Sequence, residues 1–458
     1  MATADSLARI FKAYDVRGIV PDELDERGAY AIGAGLARFV AETTGSNRLL
    51  VARDMRESGV ALARAFIAGA TSLGASVTDL GLASTDLLYF ASGSLDAAGT
   101  MLTASHNPAA YNGFKFCLPG ARPIGEDSGL FTVRDYALEA YPSVPEDVRA
   151  APAPAERRDL LDAFADHVHS FVEVSALAPF SVIADTANGM GGLVAPRIFE
   201  GLPFHLEVLF GDLDGNFPNH PADPIQEENL KFLRAAILEG GADVGLAFDG
   251  DADRVFLVDE AGVPLSGSLT TAIVAKAMLE KHPGATILYN CICSKAVPEV
   301  IAENGGTGIR TRVGHSFIKG VMAETGAVFG GEHSGHYYFA DNYRADSGII
   351  AALVVLELLS RSGTTLSELR RPFERYSSSG EINSTVTDPD AAMREVVAHY
   401  EAEGAKIDFL DGLTADLGSW WFNLRRSNTE PLLRLNVEAA TPQDVAARAD
   451  EVLALVRK

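Results

Sequence analysis

Val244-Gly245-Leu246-Ala247-Phe248-Asp249-Gly250-Asp251-Ala252-Asp253-Arg254-Val255-Phe256-Leu257-Val258 joins two apolar, strand-like runs through a short polar turn. The carboxylates of Asp249, Asp251 and Asp253 therefore sit on a tight connection between two buried strands. Like charges so crowded repel one another unless a cation neutralises them. Hard oxygen donors with no His or Cys beside them suit Mg²⁺ or Ca²⁺ and not zinc. A calcium EF-hand loop would need Gly where Arg254 stands, and helical flanks, although Glu260 does fall at its twelfth position. A solvated acidic turn is the plainer alternative, since Asp and Gly are common turn residues. A functional metal loop is the favoured reading.

Working outward, one grammar recurs three times. Leu49–Ala52 reads as a strand, followed by a polar turn with Arg53-Asp54, a helix from Ser58 to Leu73 and a strand from Ser76 to Leu80. Ser181–Ala184, a turn from Asp185 to Gly192, a helix to Phe199 and strand His205–Phe210 repeat it. Thr286–Tyr289, a helix over Ser294–Asn304 and strand Gly308–Arg312 repeat it again. Such units imply right-handed crossovers and largely parallel sheets, an α/β fold. Each unit leads to a chemically loaded loop: Thr103–Pro108, Asp249–Arg254 and Gly330–His336. Ligands gather beyond strand ends in open α/β sheets, so the loops are expected to converge on a central cleft. Pro142–Pro154, with four prolines, reads as a linker. Beyond Arg371-Pro372 the pattern changes to strands Glu381–Thr387, Trp420–Leu424 and Leu432–Val437 with helices Asp390–Glu401 and Val445–Val456, a smaller α+β domain. Four domains are expected, at residues 1–148, 156–260, 261–371 and 372–458, from a chain of 458 residues that is too long for one core.

Lys plus Arg number 38 against 62 Asp plus Glu, a net charge of −24, which excludes a nucleic-acid binder and disfavours anionic membranes. No apolar run approaches the ~20 residues of a membrane span, and the N-terminus lacks a basic start with an apolar core. Cys117, Cys291 and Cys293 read as buried strand residues of a reducing compartment, so a cytoplasmic monomer or homodimer is expected. A small anion is still a suitable ligand, because charges beyond a Debye length of ~8 Å are screened. Arg425-Arg426 with Arg434 form one conspicuous basic cluster.

Thr103-Ala104-Ser105-His106-Asn107-Pro108 offers a nucleophile. Neighbouring Ser and His rarely face one another and Gly-x-Ser-x-Gly is absent, so a hydrolase is not indicated. Either Ser105 and Asn107 make turn hydrogen bonds, or Ser105 carries phosphate near the acidic loop with Lys115 as charge partner.

Taken together, these motifs resemble the α-D-phosphohexomutase superfamily, in its bacterial phosphomannomutase/phosphoglucomutase branch, over nearly the whole chain. Phe11–Gly18, containing Tyr14 and Arg17, is similar to that family's opening signature, and Thr103–Pro108 to its phosphoserine loop. Asp249, Asp251 and Asp253 match the magnesium loop, Gly331–His336 the sugar-recognition loop, and Arg425–Pro431 the phosphate-binding loop. The resemblance implies Mg²⁺ bound by the three Asp residues and the phosphate on Ser105, with Ser105, His106, Lys115 and Arg254 catalytic. It implies substrate contacts from Tyr14, Arg17, His315, Glu332, Ser334, His336, Arg425, Ser427, Asn428 and Thr429. It further implies phosphosugar substrates, mannose and/or glucose, and hexose 1,6-bisphosphate as intermediate and activator. A phosphoglucosamine mutase and a silent sugar-phosphate sensor are the alternatives. Glu332 and His336 at i, i+4 hint at a zinc helix, but Gly331 and Gly335 break helices. A solvated basic turn is the alternative for Arg425–Thr429. Where relatives carry Lys, this chain has Ile292; Lys295, or Arg312 beside Gly314-His315, is expected to supply that charge.

Overall fold

Apolar, β-branched runs bounded by Gly and polar turns become the strands predicted for them. A computed structural model describes residues 3–426 and 432–457. The chain forms two units, residues 1–266 with 334–369, and residues 267–333 with 370–458.

In the first unit, one sheet is built from β1 (Val16–Ile19), β2 (Arg48–Arg53), β3 (Ser76–Leu82), β4 (Ala98–Leu102), β5 (Tyr111–Leu118), β6 (Arg122–Pro123) and β7 (Glu156–Arg157). Their order is β1-β5-β4-β2-β3-β7, with β6 beside β5. β2, β3, β4 and β7 run parallel, whereas β5 is antiparallel to both β4 and β1. Helices Glu26–Thr44, Ser58–Ser72 and Leu130–Ala140 supply Ile32, Leu36, Phe66 and Val133 to its core. A second sheet has the order β11-β10-β8-β9, from β8 (Ser181–Asp185), β9 (His205–Leu209), β10 (Val244–Phe248) and β11 (Val255–Asp259). β8, β9 and β10 are parallel, and β11 returns antiparallel with Phe248 opposite Val255. That pairing makes Asp249–Arg254 the connection of a buried hairpin, as its sequence predicts. β15 (Tyr337–Phe339) and the helix Gly348–Ser362, capped by Ser347, complete the unit.

The stretch read as a linker carries 3₁₀ turns at Tyr141–Ser143 and Val148–Ala150, and Val144 and Val148 enter the first core. The prolines prevent longer helix there without preventing burial.

In the second unit, β12 (Thr286–Asn290) pairs in parallel with β13 (Thr307–Thr311) and β14 (Phe329–Gly331). Helices Gly267–Lys281, Ala296–Glu303 and His315–Thr325 accompany them. The remainder is an antiparallel sheet ordered β16-β20-β19-β18-β17, from β16 (Ser377–Thr385), β17 (Lys406–Asp408), β18 (Leu413–Asp416), β19 (Trp420–Arg426) and β20 (Leu432–Ala439). Helices Pro389–Ala402 and Pro442–Val456 share its core through Tyr400, Phe422 and Val452. β17 and β18 were not anticipated, being short and interrupted by polar residues. All three cysteines are buried, but Cys291 and Cys293 lie in the turn after β12 and not in a strand.

Candidate active site

Ser105 follows β4 at the end where parallel strands present ligand loops, with a left-handed backbone, φ 48°. A serine in this region is held there by its surroundings. Thr103 Oγ1 accepts the Ser105 N–H at 2.8 Å. The Arg56 guanidinium then clamps the loop from beneath. Its Nη2 donates to the carbonyls of Ser105 (2.8 Å) and Asn107 (2.6 Å), and its Nη1 to those of Pro108 (2.9 Å) and Tyr111 (3.0 Å). Arg56 is 1% exposed, and Asp54 Oδ2 takes its Nε proton at 3.2 Å.

The acidic hairpin meets this loop backbone to backbone. A Cβ on Gly250 would lie 2.4 Å from the Ser105 carbonyl oxygen, so only glycine admits the approach. Ser105 Oγ donates to Asp249 Oδ2 at 2.7 Å and lies 3.2 Å from His106 Nδ1. Arg254 Nε donates to the same Asp249 oxygen at 2.9 Å, while its Nη2 reaches His106 Nδ1 at 2.6 Å and Ser105 Oγ at 3.4 Å. Lys115, from β5, bridges Asp251 Oδ2 and Asp253 Oδ2, each at 2.7 Å. Thr85 Oγ1 adds a 2.6 Å bond to Asp251 Oδ2.

Three buried carboxylates face two cations, Lys115 and Arg254. Burial pushes Asp249 up to about 8, against the pull of Arg254. Burial would also raise Asp251, but Lys115 holds it well below the ordinary carboxylate range. Lys115 is held above its usual value by Asp251 and Asp253 in spite of burial. His106 is driven down to about 2 by burial and by Arg254, so its imidazole is neutral at physiological pH. The donor set suits a hard divalent cation: the three carboxylates bring oxygens within 4.8 Å of one another. Among the described residues, Asp251 Oδ1 and Asp253 Oδ1 are buried without a hydrogen-bond partner. A cation would satisfy both oxygens and replace the proton that burial places on Asp249.

Other predicted residues join this cluster. Arg17 Nη1 donates to Asn107 Oδ1 at 2.5 Å, and Tyr14 is half-buried three residues before it. His336 forms a backbone bridge with Arg254, its Nε2 is 3.8 Å from Asp253 Oδ1, and Ser334 Oγ pairs with its Nδ1 at 2.9 Å. Gly335, at φ 85°, stacks so closely on the Phe256 ring that a Cβ would lie 2.5 Å from it.

Glu332 and His315 belong to the second unit. Glu332 Oε1 accepts from Gly314 N (3.0 Å) and Asn290 Nδ2 (3.2 Å), which puts the carboxylate at the start of the helix bearing His315. Ile292 is buried. Lys295 is engaged with Asp416 at 2.6 Å and Arg312 lies over the Phe317 ring at 4.0 Å. Lys319, buried one turn after His315, is a cation that the sequence did not single out. On the antiparallel sheet, Arg425 and Arg434 are directly opposed, and both reach Glu381, at 3.1 and 3.4 Å. Arg426 instead pairs with Asp390. Ser427, Asn428 and Thr429 lie outside the described residues.

Comparison with known proteins gives these groups a common context. Residues 8–134, 162–262 and 266–376 match the phosphoglucomutase/phosphomannomutase alpha/beta/alpha domains I, II and III in turn, and residues 381–455 match the C-terminal domain. The chain belongs to the phosphoglucomutase/phosphomannomutase family. It is 41% identical over 455 residues to a protein of Xanthomonas campestris pv. campestris (strain B100) named phosphohexose mutases, covering 98% of this chain and 99% of that one. It is 39% identical over 437 residues to a phosphomannomutase of Escherichia coli (strain K12), covering 94% of each. The crystal structure of a phosphoglucomutase/phosphomannomutase family protein from Burkholderia thailandensis superposes with TM-score 0.88 at 30% identity, covering 100% of this chain and 98% of that one. This family member is a phosphohexomutase, an isomerase, and the readings as a phosphoglucosamine mutase or a silent sensor are not favoured. Among the described residues no single helix is long and apolar enough to cross a membrane.

Proposed function

We propose that this phosphohexomutase interconverts hexose 1-phosphate and hexose 6-phosphate, with mannose and glucose as its sugars, through a phosphate carried on Ser105. The observation that carries the proposal is the 2.7 Å approach of Ser105 Oγ to Asp249, inside a buried cage of Asp251, Asp253, Lys115 and Arg254. As the phosphoryl group leaves, the Ser105 O–P bond breaks and a bond to the sugar hydroxyl oxygen forms, giving hexose 1,6-bisphosphate. The proton lost by the hydroxyl is balanced by one gained at Ser105 Oγ, and transfer of the other phosphate back to Ser105, with a proton returned to the sugar oxygen it leaves, regenerates the carrier. Such transfer depends on positioning and charge stabilisation more than on covalent chemistry. Arg254, held between Asp249 and His106 with its Nη2 3.4 Å from Ser105 Oγ, is placed to stabilise the charge as it moves from serine to sugar. Lys115 fixes Asp251 and Asp253, and neutral His106 accepts from Arg254 and so fixes its direction. Mg²⁺ held by Asp249, Asp251, Asp253 and the serine phosphate would neutralise and polarise that phosphate.

Tyr14, Arg17, Ser334 and His336 are assigned to the sugar phosphate on the Ser105 side. Glu332 and His315 are assigned to its hydroxyls, and Arg425 with Ser427, Asn428 and Thr429 to the non-reacting phosphate. Hydroxyl recognition by Glu332 at positions that glucose and mannose share accommodates both sugars. We keep the four-domain division at residues 1–148, 156–260, 261–371 and 372–458, and infer a cytoplasmic enzyme activated by hexose 1,6-bisphosphate. The test is a coupled assay with mannose, glucose and glucosamine 1-phosphates, started with the bisphosphate, together with intact-mass analysis. Turnover of the first two and a phosphate-sized increment mapping to Ser105 are expected. Release of free phosphate in place of isomer, or full turnover by Ser105→Ala, would refute the assignment.

A further inference from the structure

The strand edge that carries Ser105 also carries a second polar cavity, which the mutase chemistry does not use. β2, β3 and β7 are adjacent and parallel, and Arg53, Leu82 and Arg157 are their last residues. Beyond these ends lies a cavity of about 380 Å³, walled by Leu80, Leu161 and Leu193 and lined by Arg53, Arg157 and Arg158. Its size is within the ~300–1,000 Å³ of small-molecule sites, and strand ends of this kind are where α/β sheets bind ligands. Three guanidiniums around one cavity are notable in a chain of net charge −24. Among the described residues no carboxylate forms an ion pair with any of them. Arg53 spends one bond on the Asp54 carbonyl at 3.3 Å, while Arg157 lies against Gly81, where a Cβ would sit 2.9 Å from its Nη2. The lone acid of the lining, Asp159, accepts the Leu161 N–H at 2.9 Å. Guanidiniums match phosphate in charge and in fork geometry.

We infer that this cavity is a second anion site, which takes a phosphate group on a small molecule and is separate from the Ser105 centre. The inference is independent of the mutase assignment. Its test is equilibrium dialysis of the full chain with labelled inorganic phosphate and, separately, with glucose 6-phosphate, comparing wild type with the Arg157→Gln/Arg158→Gln variant. Wild type should bind phosphate with an affinity that the variant loses by on the order of tenfold or more, while mutase turnover at saturating substrate stays unchanged. Hydrogen exchange should slow at residues 81–83 and 157–159 in wild type on phosphate addition, and not in the variant. Loss of inorganic phosphate alone identifies free phosphate as the ligand, and loss of both probes identifies the phosphate of a sugar. Isotherms identical between wild type and variant, with exchange unaltered at both segments, overturn the site. Half-buried Arg53→Gln serves as a second variant, and its binding must fall in the same direction.

Discussion

Around Ser105 the carboxylates Asp249, Asp251 and Asp253 and the cations Lys115 and Arg254 are all buried and bonded to one another; around Arg425 two arginines share one glutamate near the surface. In the first region Asp251, Asp253 and Lys115 are locked at 2.7 Å, and Arg56 binds four loop carbonyls. In the second, Arg425 and Arg434 oppose each other across β19 and β20, an arrangement that like charges disfavour, and both reach Glu381. The contrast follows the work proposed for each. A phosphorus undergoing transfer needs fixed dipoles, which cost no reorganisation when charge moves. A phosphate that is merely held needs positive charge within reach of solvent, and the half-buried Arg425 and Arg434 guanidiniums provide it.

The largest effect on turnover should therefore come from the buried region. Asp251→Asn keeps volume but removes one anionic oxygen from Lys115, Thr85 and the metal loop together. Activity should fall on the order of 10²-fold and the magnesium requirement should rise. A magnesium titration with wild-type midpoint and turnover would dissolve the distinction between the two regions. Arg425→Ala should act more weakly and differently, raising KM for glucose 1-phosphate about tenfold with a smaller change in kcat. Steady-state kinetics separate the two patterns, and a kcat loss at constant KM would move Arg425 into the chemical step.

The same contrast governs what could be read in the sequence. The hairpin holding Asp249–Arg254 was legible because two five-residue apolar runs and a charged turn have one sensible arrangement. Ser105, Lys115 and Arg254 were legible because they are chemically loaded residues next to such turns. Arg56 was passed over, although it lies in the polar turn after β2, because nothing local says that its guanidinium reaches residues 105–111. Thr85 was missed for the same reason: its partner is 166 residues away. Glu381, on the half-exposed strand β16, looks like any surface acid until β16 and β20 pair. In each case the information lies in strand order, which periodicity does not encode.

The smallest effect on turnover should come from Asp86, at the boundary of the buried network. Asp86 lies in the first turn of the helix Thr85–Leu95, accepts the Leu87 N–H at 2.9 Å and the Ser347 hydroxyl at 2.7 Å, and is bonded by Ser84. Burial pushes its carboxyl up to about 7; the serine bonds oppose the shift and nearby Asp253 adds to it. A carboxyl raised in this way binds more protons folded than unfolded between its ordinary value near 4 and about 7. Stability from that proton is therefore full below the unfolded value and is lost as pH rises through the folded one. Asp86→Asn removes the titration while keeping the size, and Ser347 can turn its hydroxyl to accept from the new amide. The difference in Tm between variant and wild type, measured in chelator, should become more positive from pH 5 to pH 8, with turnover within about twofold. Parallel Tm profiles would mean that Asp86 is ionised throughout and fully compensated by its serine partners. The buried region would then tolerate a lone carboxylate as readily as the exposed one does, and the contrast between the two would rest on the metal loop alone.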